Sequence, residues 1–271
     1  METQAMKFPS NTFGQRARSM LAVDFRRMFT TRRFYILVGI ALVIPILMLV
    51  MTTAVGGSAT VDPATGVEAA GEMESFENTW QVVESLSGES SGGMDMMSMC
   101  NINLLFFLVA VFVCLFVGDD FRSGYAKNLF AVRSRKADYV ISKTLTGFVA
   151  GACMILAYFI GALVGGSIAG LSFDPGTAGV SGIVLCLLAK ICLMGVFVPI
   201  FVVMSVVGKQ KLWISMVLSL GVGMLLFMMV PSLTPLDSTM MNVILCLAGG
   251  ALFSVGLGAV SNVVLQKTNL I

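Results

Sequence analysis

The run FYILVGIALVIPILMLVMTTA, residues 34–54, carries no charge and no break in its apolar character apart from Pro45. A helix of that length rises roughly 30 Å, the thickness of a bilayer's hydrocarbon core. Runs of similar length and character recur at about 102–118, 140–168, 182–207, 212–231 and 242–265. Each is continuously apolar, whereas the strands of a membrane barrel alternate with a period of two. The chain therefore reads as an all-α, polytopic membrane protein with six transmembrane helices. Only 12% of its 271 residues are charged, which a water-soluble exterior of that size would not tolerate. The first run exceeds the 7–15-residue apolar core of a cleavable signal peptide, so it is expected to stay as a span.

The lysines and arginines set an orientation. Residues 1–33 hold Lys7, Arg16, Arg18, Arg26, Arg27, Arg32 and Arg33; the next basic group is Arg122, Lys127, Arg133, Arg135, Lys136 and Lys143. Lys209, Lys211 and Lys267 complete the same side, with Lys143 at the start of the third span; of the 17 bases only Lys190 lies deep inside a span. By the positive-inside rule both termini are cytoplasmic, in a multi-pass protein of the cell inner (plasma) membrane. Two regions follow: a cytoplasmic leader, 1–33, and a six-helix membrane domain, 34–271.

Within the leader, Phe13, Ala17, Met20, Leu21, Phe25 and Met28 share one helical arc, with Arg16, Arg26 and Arg27 elsewhere. An amphipathic helix lying on the inner leaflet, its basic face near anionic headgroups, is one reading. A plain basic flank that sets topology is the other. Asp24 is a misfit, since it falls inside the apolar arc. The outer loop, about 56–101, holds Asp62, Glu68, Glu72, Glu74, Glu77, Glu84, Glu89 and Asp95 and no base. Inside it Phe76, Trp80, Val83 and Leu86 recur at helical spacing and predict a short amphipathic helix. That helix would pack on the bundle or act as a lid over a substrate.

Catalytic chemistry has little to work with. The absence of histidine removes HExxH metal sites and Ser-His-Asp triads. No GxxxxGK[ST] loop is present, so the chain is not expected to bind or hydrolyse ATP, and it calls for no metal or cofactor of its own. The six cysteines lie in or beside apolar runs with no CxxC and read as buried free thiols. The methionines of MDMMSM, 94–99, read as flexible packing rather than as thioether ligands for a soft metal.

Lys190 would sit well inside the fourth span, where a lysine costs about 2.5–3.5 kcal/mol. It either snorkels to the outer interface or faces a polar cavity and meets an anion, as a residue of a translocation pathway would. No carboxylate is expected in any span, which argues against an ion-coupled carrier. Gly147/Gly151, Gly161/Gly165 and Gly166/Gly170 have the spacing of close helix contacts, although 28 glycines also produce such pairs by chance.

The connector of about 119–139 concentrates charge between the second and third spans. Phe121, Tyr125, Leu129 and Val132 form a stripe, with Arg122, Lys127 and Asn128 off it, so a short amphipathic helix over 119–132 is expected. It either offers its apolar face to a partner's groove or is a basic surface loop.

Here Asp120, Gly124, Lys127, Asn128, Leu129, Ser134, Arg135 and Lys143 stand at offsets that resemble the first cytoplasmic loop of type-2 ABC transporter permeases, the six-helix membrane subunits of bacterial ATP-driven exporters. Two departures stand out: Tyr125 replaces a usual threonine, and Val132-Arg133 replaces a proline. The resemblance implies a second permease subunit, either an identical copy or a paralogue, and separate ABC ATPase subunits that carry ATP and magnesium. It makes the connector the coupling helix, with Asp120, Phe121, Gly124, Tyr125, Lys127, Leu129 and Arg135 at the ATPase contact. Expected substrates are drugs, peptide antibiotics or lipids, and no nucleic acid. A non-transporting membrane anchor or assembly subunit is the competing reading.

Overall fold

The structure, a computed structural model, describes residues 13–55, 60–61, 68–69, 76–84, 101–132, 136–208, 211–227 and 229–267. Its helices are α1 (Phe13–Thr30), α2 (Arg32–Val55), α3 (Leu105–Arg122), α4 (Tyr125–Val132), α5 (Lys136–Ala169), α6 (Gly179–Gly208), α7 (Leu212–Phe227), α8 (Val230–Leu233) and α9 (Met240–Lys267). Two residue pairs between α2 and α3, Thr60–Val61 and Glu68–Ala69, form a minimal antiparallel ladder. The fold is otherwise helical.

Among the described residues, five helices are long and apolar enough to cross a membrane: Arg32–Ala54, Ile102–Arg122, Lys136–Ala169, Gly179–Gly208 and Met240–Lys267. The fifth run falls short of the expected span. Its helix α7 has 16 residues, a rise of roughly 24 Å. The chain then restarts as the one-turn α8, with Pro231 in its first turn. Proline has no amide hydrogen to continue the ladder from α7, and a first turn is where that loss does least harm.

The helices that do span run past their apolar segments. Helix α3 continues through Asp119 and Asp120, and α5 begins at Lys136, so Asp138 and Lys143 lie on its first two turns. The expectation that spanning helices carry no carboxylate therefore fails at their basic ends.

Small residues bring the backbones together. A Cβ on Gly161 would lie 2.2 Å from the Leu42 carbonyl oxygen, and one on Gly165 would lie 2.8 Å from Ile46 Cα. The Gly161/Gly165 spacing thus seats α5 directly on α2. Gly195 and Gly250 do the same for α6 and α9, where a Cβ on Gly195 would sit 3.1 Å from Gly250 Cα. The bundle's exterior is apolar, with Trp213, Leu225 and Val255 exposed at 81%, 77% and 76%. Such a surface suits lipid rather than water.

The outer-loop helix expected around Trp80 is only a 3₁₀ turn, Thr79–Val82. Asn78 caps it, its side chain accepting from the Trp80 amide, while Gln81 accepts back from the Asn78 amide. The turn is pinned to the bundle by apolar and polar contacts. The Trp80 ring stacks on Phe159 and its indole N–H donates to the Phe173 carbonyl, and Tyr158 donates to the Val82 carbonyl. Leu86 lies outside the described residues.

Candidate functional site

Two sets of buried charges lie at opposite ends of the bundle, and the first surrounds the connector. The expected single helix over 119–132 is broken. Helix α3 ends at Arg122, Ser123 and Gly124 turn the chain, and α4 begins at Tyr125. Gly124 has φ +73°, a left-handed conformation that glycine adopts without strain. An eight-residue helix thus hangs between two spans on a glycine joint.

Its apolar stripe faces the protein. Phe121 and Ala126 are buried, Leu129 and Phe130 are half-buried, and the Phe130 ring meets Tyr139 edge-on at 5.3 Å. That side is thus occupied by the molecule itself. Lys127, Asn128 and Ala131 are exposed instead. Tyr125 is half-buried beneath the Arg27 guanidinium, 4.5 Å from ring centre to Cζ. Arg135 lies outside the described residues.

Asp120 is wholly buried, so its side chain does not present itself to a partner. Its Oδ2 accepts from the Tyr139 hydroxyl at 3.1 Å and lies 2.7 Å from Lys143 Nζ. Its Oδ1 lies 2.7 Å from Arg27 Nη1. Lys143 also donates to Asp24 Oδ1 at 2.7 Å, and Ser142 donates to Asp24 Oδ2 at 2.6 Å. Asp24, the misfit of the leader's apolar arc, is therefore the residue that docks the leader. Met20, Asp24 and Met28 form the buried stripe of α1 against α5. Arg16 with Asp138 at 3.2 Å reinforces that contact, and Arg33 with Asp119 ties α2 to the end of α3. Burial works to lower the Arg27 pKa, but Asp120 first and Asp24 after it hold it above its ordinary value.

The second set contains Lys190, which is wholly buried in α6. Its ammonium donates to Glu84 Oε2 at 2.7 Å, Asn103 Oδ1 at 2.8 Å and Thr234 Oγ1 at 3.0 Å. Three acceptors match its three hydrogens. Asn103 in turn donates to Glu84 Oε2 at 3.0 Å. Of the two fates expected for Lys190, the structure shows the meeting with an anion, and that anion is Glu84, a carboxylate of the loop between α2 and α3.

Among the described residues, no cluster of histidine, cysteine or carboxylate side chains has the arrangement of a metal site. The described cysteines, 114, 153, 186, 192 and 246, are free thiols; Cys100 and the 94–99 methionines lie outside the described residues. Sequence reasoning counts Lys143 as a topology signal and a motif match, and it names Glu84 only as one acid among eight in the 56–101 loop. One signal pointed to the inner network, the lone carboxylate among apolar residues at Met20-Asp24-Met28 spacing. No protein-family model, curated protein or solved structure matches the chain.

Proposed function

We propose that this chain is the membrane-spanning permease subunit of an ATP-driven exporter, with ATP hydrolysed by separate subunits that dock at α4. The observation that carries the reading is α4 itself: a short helix on a glycine joint, between two spans, with its flanks tied together by buried charge. The motif running from Asp120 to Lys143 supports it. In this reading α7 and α8 together complete a sixth crossing, both termini are cytoplasmic in the plasma membrane, and α1 lies along the inner leaflet. A second permease copy or paralogue completes the pathway, and the cargo is a drug, a peptide antibiotic or a lipid.

The partner contact then falls on the outward side of α4, at Lys127, Asn128 and Ala131. Force reaches the spans through the inward side. Tyr125 carries Arg27 of α1, and Phe130 bears on Tyr139 of α5. Closure of the ATPases moves the spans only if ATP binding favours one arrangement of this joint over another. Asp120 and Phe121 serve here as anchors of the joint rather than as contacts.

Purification of the tagged chain in gentle detergent, with mass spectrometry of what accompanies it, tests the reading. The expected companion is a stoichiometric subunit of about 25–35 kDa containing GxxxxGK[ST]. Lys127→Glu should then uncouple ATP hydrolysis from export while the chain remains folded. Repeated recovery with no such ATPase would replace the exporter by the membrane-anchor reading.

A further inference from the structure

The end of α1, the start of α2 and the end of α3 enclose an open cleft of about 460 Å³. Its walls are Arg27, Arg33, Arg122, Ser123 and Asp119. Three guanidiniums and a hydroxyl thus converge where one carboxylate is present, and that carboxylate is engaged by Arg33. Behind the cleft, Asp120 and Asp24 are shared between Arg27 and Lys143. Across the whole cluster four bases face three acids. The surplus lies on Arg122, which is exposed and has no ion-pair partner among the described residues. Among the described residues Ser123 Oγ accepts a long contact, 3.4 Å, from the Tyr125 amide and donates to none, which leaves its hydrogen available for donation.

The position of the cleft selects among anions. It lies where two candidate spans, Arg32–Ala54 and Ile102–Arg122, leave their apolar segments, which is the headgroup level of a bilayer. Phe29, Tyr35 and Ile36, close in sequence to Arg27 and Arg33, are exposed at 45%, 57% and 60%. A phosphate on a lipid uses both the guanidiniums, for its oxygens, and the exposed apolar surface of the spans, for its chains. A free phosphate uses only the first.

We propose that this cleft binds the phosphate of an anionic phospholipid, with Arg33, Arg122 and the Ser123 hydroxyl as the donors. Because Ser123 begins the turn into α4, the bound headgroup touches the joint itself. The inference rests on the membrane-spanning character of the chain and not on its being an exporter.

The test is native mass spectrometry of the intact chain released from micelles after titration with phosphatidylglycerol or with phosphatidylcholine of the same acyl chains. The chain should retain phosphatidylglycerol roughly fivefold better, as one added basic contact near a membrane surface allows. Arg122→Gln and Arg33→Gln should each reduce that preference, and Arg18→Gln, exposed elsewhere on α1, should not. Arg122 has no ion-pair partner among the described residues, so its variant is expected to keep the fold, and an unchanged thermal midpoint verifies this. Equal retention of the two lipids overturns the proposal, as does wild-type retention in both cleft variants. Displacement of the lipid by millimolar inorganic phosphate would instead make this a free-anion site and overturn the lipid assignment.

Discussion

At the basic end of the bundle Lys143 is held by two carboxylates from two different helices, Asp24 and Asp120. At the other end Lys190 is held by one carboxylate, Glu84, and two neutral oxygens. Both ammoniums are fully buried, and both meet opposite charge within 2.7 Å, as such burial demands. They differ in redundancy. If Asp120 moves away, Lys143 keeps Asp24 and Arg27 keeps a carboxylate 3.9 Å distant. If Glu84 moves away, Lys190 keeps no opposite charge. The first arrangement allows rearrangement beside the Gly124 joint at modest cost. The second latches the loop between α2 and α3 to α6 through a single carboxylate.

The comparison breaks most sharply at Lys143. Lys143→Met leaves two buried carboxylates with Arg27 alone, and removing one partner from a buried ionic cluster costs about 3–5 kcal/mol. A titration with sodium dodecyl sulfate from mild micelles measures it, and a loss below 1 kcal/mol would show that Lys143 is not the keystone. Glu84→Gln comes next, at about 3 kcal/mol in the same titration, because it leaves Lys190 buried with dipoles only. Adding Lys190→Met should restore most of that loss, since replacing both ions of a buried pair is often nearly neutral. A double variant as unstable as Glu84→Gln alone would mean that the outer latch is not governed by charge.

Packing supplies a yardstick for both networks, and it bears on how much was legible in the sequence. Apolar run length gave the membrane class and five long spans within a few residues. It overextended the fifth run, since hydropathy registers Pro231 and its neighbours as apolar and is blind to the missing amide. The Gly161/Gly165 spacing was visible but indistinguishable from chance among so many glycines. Only the facing backbone of α2 gives it meaning, and Gly161→Ala should cost about 1–3 kcal/mol by overpacking against Leu42. The charge networks were the least legible part. Asp24 and Lys143 are 119 residues apart, and Glu84 and Lys190 are 106 apart. Residues that distant reveal their pairing only as local misfits: an acid in an apolar arc, a lysine in a span. The Glu84 misfit did not show, because a loop full of acids hides one that is buried.

The smallest expected effect is the most discriminating. Asp120→Asn is isosteric, as is Glu84→Gln, so each variant removes a charge while preserving shape. At Asp120 the amide can still accept from Tyr139 or Lys143, and Asp24 remains within reach of both Lys143 and Arg27. The expected loss is therefore about 1 kcal/mol, that of one charge-assisted hydrogen bond made neutral. Redundancy also predicts non-additivity, since Asp24→Asn combined with Asp120→Asn should cost well over the sum of the two single losses. Each single change leaves Lys143 one carboxylate, and the pair leaves it none. If Asp120→Asn alone costs as much as Glu84→Gln, the sharing of Lys143 between two acids contributes nothing, and the two ends of the bundle are built alike. A strongly non-additive cycle would instead locate the tolerance for rearrangement at the α3–α4 joint, where the proposed coupling motion needs it.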